Sequence, residues 1–381
     1  EKEAEGVWGR ELGPPAEPSV LFIETRPQSP VAGVEVGRVE VAPRLTLCVS
    51  DDAELARNSV VRYVAHYLAI IRPEELGEDR LEARYIVIAS GAKPVPLSMP
   101  GAEHVITSDD FLELATLPKR VLLIGGGYVS FEFAHIAARA GAEVVMLDRG
   151  ERPLKAFDPD LVEMLVERTR ALGITFRAKA EVTAIEQANG GLGVIARIDR
   201  AEERFETALV VHGAGRAAAI SALALDKANV KGNGKGVEVN EYLQSITNPV
   251  VYAAGDAAAT AGPPLTPVAS VEAKAVAANL LEGNHATPDY TGVPSAVFTV
   301  PELVRVGLTE ADAAAQGFDF ECKFSDMRDW FSVRRVGETH AAAKVLVENG
   351  SGRILGVHIL GPEASETINL FGLAMRTGLK A

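Results

Sequence analysis

Cysteine is nearly missing from this chain. Two in 381 residues, Cys48 and Cys322, cannot make a disulfide framework, and neither has a cysteine near it in sequence. Each reads as a packed or incidental thiol, and the scarcity points to a reducing, cytoplasmic setting. Basic surplus is missing too. Against 38 Lys and Arg stand 52 Asp and Glu, a formal charge of -14, which excludes a nucleic-acid binder because phosphate contact needs basic surface. No apolar run reaches the roughly 20 residues of a membrane span, so no membrane partner is expected. A secretory signal pattern is also lacking, and the chain opens on Glu1 rather than methionine, so its natural start is expected upstream. What is plentiful is core material: the 47% hydrophobic content and the length suit two or three domains.

The most informative stretch is residues 119–150, which read as strand, glycine turn, helix and strand. Residues 121–124 are continuously apolar, as in a strand buried on both faces. Gly125-x-Gly127-x-x-Ser130 follows at once. The first glycine permits a tight turn and the second lets backbone approach a pyrophosphate. Ser130 fills the third slot, where a small side chain allows helix and strand to pack closely. The helix is expected to run to about Ala140 and stop at Gly141. Residues 144–147 form the next strand, with Asp148 at its end, where a carboxylate can bond a ribose hydroxyl. A glycine-rich turn without a ligand is the alternative. With strand, helix, second strand and acid in register, the dinucleotide reading is the stronger.

Elsewhere the pattern is uneven. Residues 19–24, 34–41 and 45–50 look like short strands, and 53–71 like a helix without a clear cap. Residues 81–89 form a strand ending in Ser90-Gly91-Ala92-Lys93-Pro94. Asp158-Pro159 starts a helix to about Leu172, an N-cap carboxylate followed by proline. Strands are expected at 174–178, 193–198 and 205–211, the last two joined by polar residues 201–204. Such a meander on a parallel sheet fits a nucleotide-binding domain with a β insertion. It closes with Gly213-Ala214-Gly215-Arg216. A strand then ends in Gly255-Asp256, followed by an alanine-rich helix over 266–281. From Tyr290 the chain reads as α+β, with strands at 296–299, 344–348 and 354–360 and a short helix at 309–316.

The motifs 89–94, 125–132, 213–216 and 252–256, in that order, resemble the pyridine nucleotide-disulfide oxidoreductases, flavoenzymes that include glutathione reductase, dihydrolipoyl dehydrogenase and mercuric reductase. Leu265-Thr266-Pro267-Val268-Ala269 looks like the segment these proteins lay against the flavin ring. Val297-Phe298-Thr299 and Val306-Gly307-Leu308-Thr309-Glu310 resemble the opening of their dimerisation domain. The resemblance covers about 81–381. It implies an α/β fold in which a Rossmann-like NAD(P)-binding domain, 119–240, is inserted in a partial FAD-binding domain, 1–118 and 241–289. An α+β dimerisation domain, 290–381, follows.

It also implies roles. Asp256, with Gly255, would bind the flavin ribityl chain, and Thr266 would stand beside the isoalloxazine. Tyr128 would cover the nicotinamide face of the flavin until NAD(P)H displaces it. Glu132 would approach the nicotinamide amide and pair with a lysine of the flavin domain; both it and Tyr128 could instead be helix-surface residues. Gly126, Val129 and Gly215 complete the expected cofactor contacts. Asp148 favours NADH, whereas Arg149 and Lys155 match positions where NADPH-using relatives carry cations. Arg152 adds another cation or a solvated loop.

The departures are as definite. No glycine motif for the flavin ADP half precedes Leu81, no CxxxxC pair is present, and none of the seven histidines sits in the context of the family's acid-base histidine. The chain therefore resembles a truncated or remodelled member. The implied activity is hydride transfer from NAD(P)H through FAD to a disulfide or similar small-molecule acceptor, in a homodimer. An NAD(P)H oxidase or diaphorase needing no cysteine pair is the alternative, as is a catalytically silent nucleotide-binding or dimerisation module.

Overall fold

The computed structural model describes residues 20–23, 84–188 and 190–381. The expected strands at 34–41 and 45–50, the helix at 53–71 and Cys48 lie outside the described residues. The chain divides into two compact units, one of residues 1–93 and 217–290, the other of 94–216 and 291–381.

In the first unit, Val20–Ile23, Tyr85–Ile88 and Val251–Ala253 form a parallel sheet with Tyr85–Ile88 in the middle. Thr266–Glu282 is the long helix, ended by Gly283. It seats Ala275 and Val276 against Val87, Leu243 and Tyr252. Asn279 is 2% exposed, and its amide is fully used. It donates to the carbonyls of Tyr242 and Ala286 and accepts from the amides of His285 and Ala286. Four bonds on one buried amide fix the chain's exit from the helix, since each would cost roughly 1–3 kcal/mol if left unmade.

The second unit carries a five-stranded parallel sheet, in the order Val105–Ile106, Leu209–His212, Arg120–Ile124, Glu143–Leu147, Thr175–Arg177. Its central strand is apolar from Val121 to Ile124 because both faces are covered there. Val121 and Leu123 pack with Phe131 and Leu161 of the helices Tyr128–Arg139 and Pro159–Ala171. Leu122 and Ile124 pack with Val194 and Ala196 of an antiparallel meander. That meander is Ala180–Ala188, Gly191–Ile198 and Ala201–Thr207.

Here the fold departs from the sequence reading. The stretch 205–211 is two strands in different sheets, parted at Ala208. Residues 201–204, expected as a linker, are strand; the turn is Asp199-Arg200, with φ of 47° and 72°. Two successive left-handed residues match the right-handed strand twist of a hairpin. Ala180–Ala188 was not expected at all. Val105–Ile106, N-terminal to the change-over expected at 118/119, pairs with Leu209–His212 at the edge of this sheet.

The C-terminal part of this unit is an antiparallel sheet, in the order Pro294–Val297, Glu302–Gly307, Ile354–Gly361, Ala342–Glu348, Phe320–Asp326. Every residue of its central strand is buried. The helix Ala364–Thr377 covers one face, with Ile368 and Phe371 packed against Val304, Val306 and Val357. Ile368, Phe371 and Leu373 recur at helical spacing as an apolar stripe in sequence, yet Ile368 and Phe371 are core while Leu373 faces outward, 58% exposed, beside Leu370.

Candidate functional site

The glycine turn is built as its sequence implies. Gly125 sits at φ 112°, where a side chain is strained, and a Cβ there would lie 2.3 Å from the carbonyl oxygen of Gly213. A Cβ on Gly126 would meet the Asp148 carboxylate at 2.4 Å. Gly127 caps the helix Tyr128–Arg139 with no side-chain hydrogen bond, so the first amides of that helix are left without a side-chain acceptor. Those amides and the helix dipole suit an anionic group. Ser130 is fully buried, its Oγ without a hydrogen-bond partner, and a Cβ on Gly213 would lie 1.9 Å from that oxygen. The third slot is thus a packing contact. Gly125, Gly126 and Gly127 themselves put no side chain into this cradle, which suits the approach of a phosphate-sized anion to backbone.

Around the cradle runs a groove of about 430 Å³, lined by Gly125, Gly126, Gly127, Tyr128, Asp148, Arg149, Lys155 and Gly215 among others. Residues singled out in sequence from three separate stretches thus come together. Asp148 lies at the end of Glu143–Leu147, its Oδ1 accepting the Gly150 amide at 3.2 Å. Arg149 also borders a second, more open depression with Lys179, Arg197 and Arg200. Arg152 also lines the groove, half-buried, and its guanidinium donates to the carbonyls of Phe157 at 3.0 Å and Lys155 at 3.1 Å. Val129, one of the expected cofactor contacts, packs its side chain on the core, which leaves only its backbone amide for a ligand. His212 accepts the Ala214 amide at Nδ1, so its Nε2 carries the proton and donates to the Val95 carbonyl at 2.6 Å. It braces the loop that forms one wall, alongside the Val95 amide bonded to the Gly215 carbonyl. Nothing in the residue pattern announced that wall, residues 95–99.

Tyr128 opens the helix, 38% exposed, its ring edge-on to Phe157 with centroids 5.6 Å apart. Burial raises its pKa, with Arg305 working against the rise. Glu132, one turn on, accepts the Phe298 amide at Oε1 at 3.0 Å. Burial raises its pKa too, and the Phe298 amide opposes this. Its hydrogen-bond partner among the described residues is that backbone amide.

Behind the site His135 joins three segments. Its Nδ1 accepts the Val300 amide at 3.1 Å, so Nε2 carries the proton and donates to Thr169 Oγ1 at 3.0 Å. The Thr169 hydroxyl in turn donates to the Leu165 carbonyl at 2.7 Å. Burial, with Arg168 and Arg139 nearby, lowers the His135 pKa from 6.5 to about 4. The folded state thus holds a neutral ring that the unfolded chain would protonate. Its contribution is complete above about pH 6.5 and is lost as pH falls toward 4, at up to about 1.4 kcal/mol per pH unit. Against His135→Gln, wild-type protein should lose more melting temperature between pH 6.5 and 4. Parallel curves would show that His135 is not the titrating group.

In the other unit, Val251–Ala253 leads into the turn Gly255–Ala257, which presents a half-buried Asp256. Thr266 is the exposed first residue of the long helix, whose N-cap, Leu265, supplies no side-chain hydrogen bond. Open helix amides beside a carboxylate-bearing turn suit a ligand with both acceptors and hydroxyls, which a flavin ring and ribityl chain possess. The turn is held by a residue that the sequence reading missed. Glu272 is 1% exposed and accepts from the Gly255 amide at 2.7 Å, Thr260 Oγ1 at 2.8 Å and Tyr290 Oη at 2.7 Å. Among the described residues no cluster of His, Cys, Asp and Glu could hold a metal, and no helix is long and apolar enough to cross a membrane.

Residues 35–273 match the pyridine nucleotide-disulphide oxidoreductase family, and residues 293–381 match its dimerisation domain. An uncharacterized 19.7 kDa protein in the mercuric resistance operon of Staphylococcus aureus is 49% identical over 155 residues, 41% of this chain and 86% of that protein. The glutathione reductase of Burkholderia cepacia is 34% identical over 344 residues, 87% of this chain and 75% of the reductase. The solved structure of the HOCl-induced flavoprotein disulfide reductase RclA from Escherichia coli is similar at a TM-score of 0.69 and 27% identity, covering 78% of this chain and 68% of that one.

Proposed function

Because the chain belongs to the pyridine nucleotide-disulphide oxidoreductase family, we propose that it takes hydride from a reduced nicotinamide dinucleotide and delivers it, through FAD, to a disulfide or similar acceptor. FAD when bound supplies the two-electron relay between nicotinamide and acceptor. In this reading residues 94–216 hold the nucleotide, the unit of residues 1–93 and 217–290 holds the flavin, and the C-terminal sheet pairs two copies as a homodimer. The observation that carries it is the uncapped helix over the glycine turn, with Asp148 at the end of the next strand.

Each group has a task. The turn amides hold the pyrophosphate, and Lys155 adds a cation. Tyr128 shields the nicotinamide position until the dinucleotide arrives, and Glu132 orients the carboxamide. Asp256 accepts from a ribityl hydroxyl, Glu272 fixes the turn that carries Asp256, and Thr266 stands beside the ring. The scarcity of cysteine favours a cytoplasmic setting for the assembly.

Asp148 tilts the preference to NADH, since a 2′-phosphate would bring negative charge against a carboxylate wedged beside Gly126. Arg149 and Lys155 offset only part of that. Full chain reconstituted with FAD and mixed anaerobically with NADH should lose the flavin's visible band. It should bind NADH more tightly than NADPH and run near twice 40.4 kDa by light scattering. An unbleached flavin sinks the hydride reading, and clearly tighter NADPH binding sinks the preference. The only cysteines in these 381 residues are Cys48 and Cys322, which favours a second reading as a diaphorase. Turnover with a quinone but not with a disulfide would establish it.

A further inference from the structure

The segment from Lys155 to Asp158, whose first three residues line the groove, is held by side chains at every residue, two of them from the C-terminal sheet. Arg152 takes the carbonyls of Lys155 and Phe157. The carbonyl between them, that of Ala156, accepts from Arg305, whose other terminal nitrogen donates to the Gly307 carbonyl at 2.7 Å. Asp158, next in line, caps the following helix with Oδ1 and accepts from Lys344 with Oδ2 at 3.0 Å. Arg305 lies on Glu302–Gly307 and Lys344 on Ala342–Glu348. The held segment carries both Lys155, which lines the groove, and Phe157, against which Tyr128 rests.

We propose that Arg305 is a positioning residue of the nucleotide site, setting the 155–157 wall so that the Lys155 ammonium faces the bound dinucleotide. The proposal rests on the nucleotide reading given above. Its physical basis is the guanidinium fork. Two carbonyls from different parts of the chain are tied by one rigid planar group, which an ammonium cannot imitate because it is a point donor on a flexible stem. The C-terminal sheet thereby completes a site that the 94–216 segment does not hold in place by itself.

A double-mutant cycle with Lys155 tests it, since residues acting through one another give non-additive effects. NADH affinity of the full chain would be read by titration for wild type, Lys155→Ala, Arg305→Gln and the double variant. Each single change should weaken binding about tenfold, and the double about tenfold again in total rather than a hundredfold. Arg305→Lys, with one donor point, should weaken binding about threefold in the wild-type background and not at all in Lys155→Ala. It carries the same reading should Arg305→Gln fail to hold the wild-type circular dichroism spectrum. Unchanged affinity in both Arg305 variants, or effects that multiply with Lys155→Ala, overturns the proposal. A wild-type chain that binds neither NADH nor NADPH overturns the nucleotide reading instead.

Discussion

Lys344→Met should lower the unfolding free energy by about 3–5 kcal/mol at neutral pH, the range for removing one partner of a buried ion pair. The Lys344 side chain is 5% exposed and its ammonium meets Asp158 at 3.0 Å, Asp160 at 2.6 Å and Glu310. Burial opposes the charge, yet the three carboxylates hold its pKa above that of an ordinary lysine. The folded-state value being raised, this stabilisation is complete below the ordinary lysine range and fades only in strong alkali. Methionine fills similar space but leaves Asp158, 1% exposed, as an unpaired buried charge. Adding Asp158→Asn should restore most of the loss, because asparagine still caps the helix and carries no charge. Denaturant unfolding of the three variants checks this. A loss below about 1 kcal/mol, or no recovery in the double variant, would show that the pair is not desolvated as the geometry implies.

Gly125→Ala should cost roughly 2–6 kcal/mol, adding left-handed backbone strain to a steric collision. The obstacle is backbone, the Gly213 carbonyl and the Ala214 Cα, so no side chain can rotate away. Relief would require strand 209–212 to part from strand 120–124, or the helix start to swing out. Either opens the turn, so NADH binding should vanish even in whatever fraction stays folded. Melting within about 3 °C of wild type, with NADH affinity retained, would contradict the close approach drawn here.

These two residues differ in how plainly the sequence announced them. Gly125 stands in a strand–turn–helix–strand run whose periodicity changes where the chain turns, and the matching structure followed from local rules. Lys344 is a lone lysine among Ala341, Ala342, Ala343 and Val345, and its three partners lie elsewhere in the chain. Only tertiary pairing tells it from a snorkelling surface lysine. Glu272 had a signal that could have been used. Val268, Glu272, Val276 and Asn279 recur at helical spacing, so a charge falls on the stripe that is otherwise buried. The turn at Asp199-Arg200 was hidden because its left-handed residues are not glycine or asparagine. Ala180–Ala188 was hidden because Glu181, Thr183, Glu186 and Gln187 blur its alternation, half of it being packed and half solvated. The stripe at 368–373 shows the reverse failure, a single pattern shared between an inner and an outer face.

The strand Leu209–His212 has a bearing on how the molecule comes into being. It lies between Val105–Ile106 and Arg120–Ile124 and hydrogen-bonds to both, though its residues follow theirs by the length of two helices and a meander. On a ribosome, everything from Tyr128 to Thr207 emerges before the gap can be filled. The meander's hairpins close early, since their partners are near neighbours in the chain. The slot beside Arg120–Ile124 waits for its late arrival, and non-local pairing of that kind is slow. Gly213 leaves the tunnel immediately behind that strand, and it is the surface on which Gly125 and Ser130 rest. A nascent chain stopped short of Leu209 therefore exposes two unpaired strand edges and a glycine turn with nothing beneath it, which makes this the interval of greatest risk for misassociation.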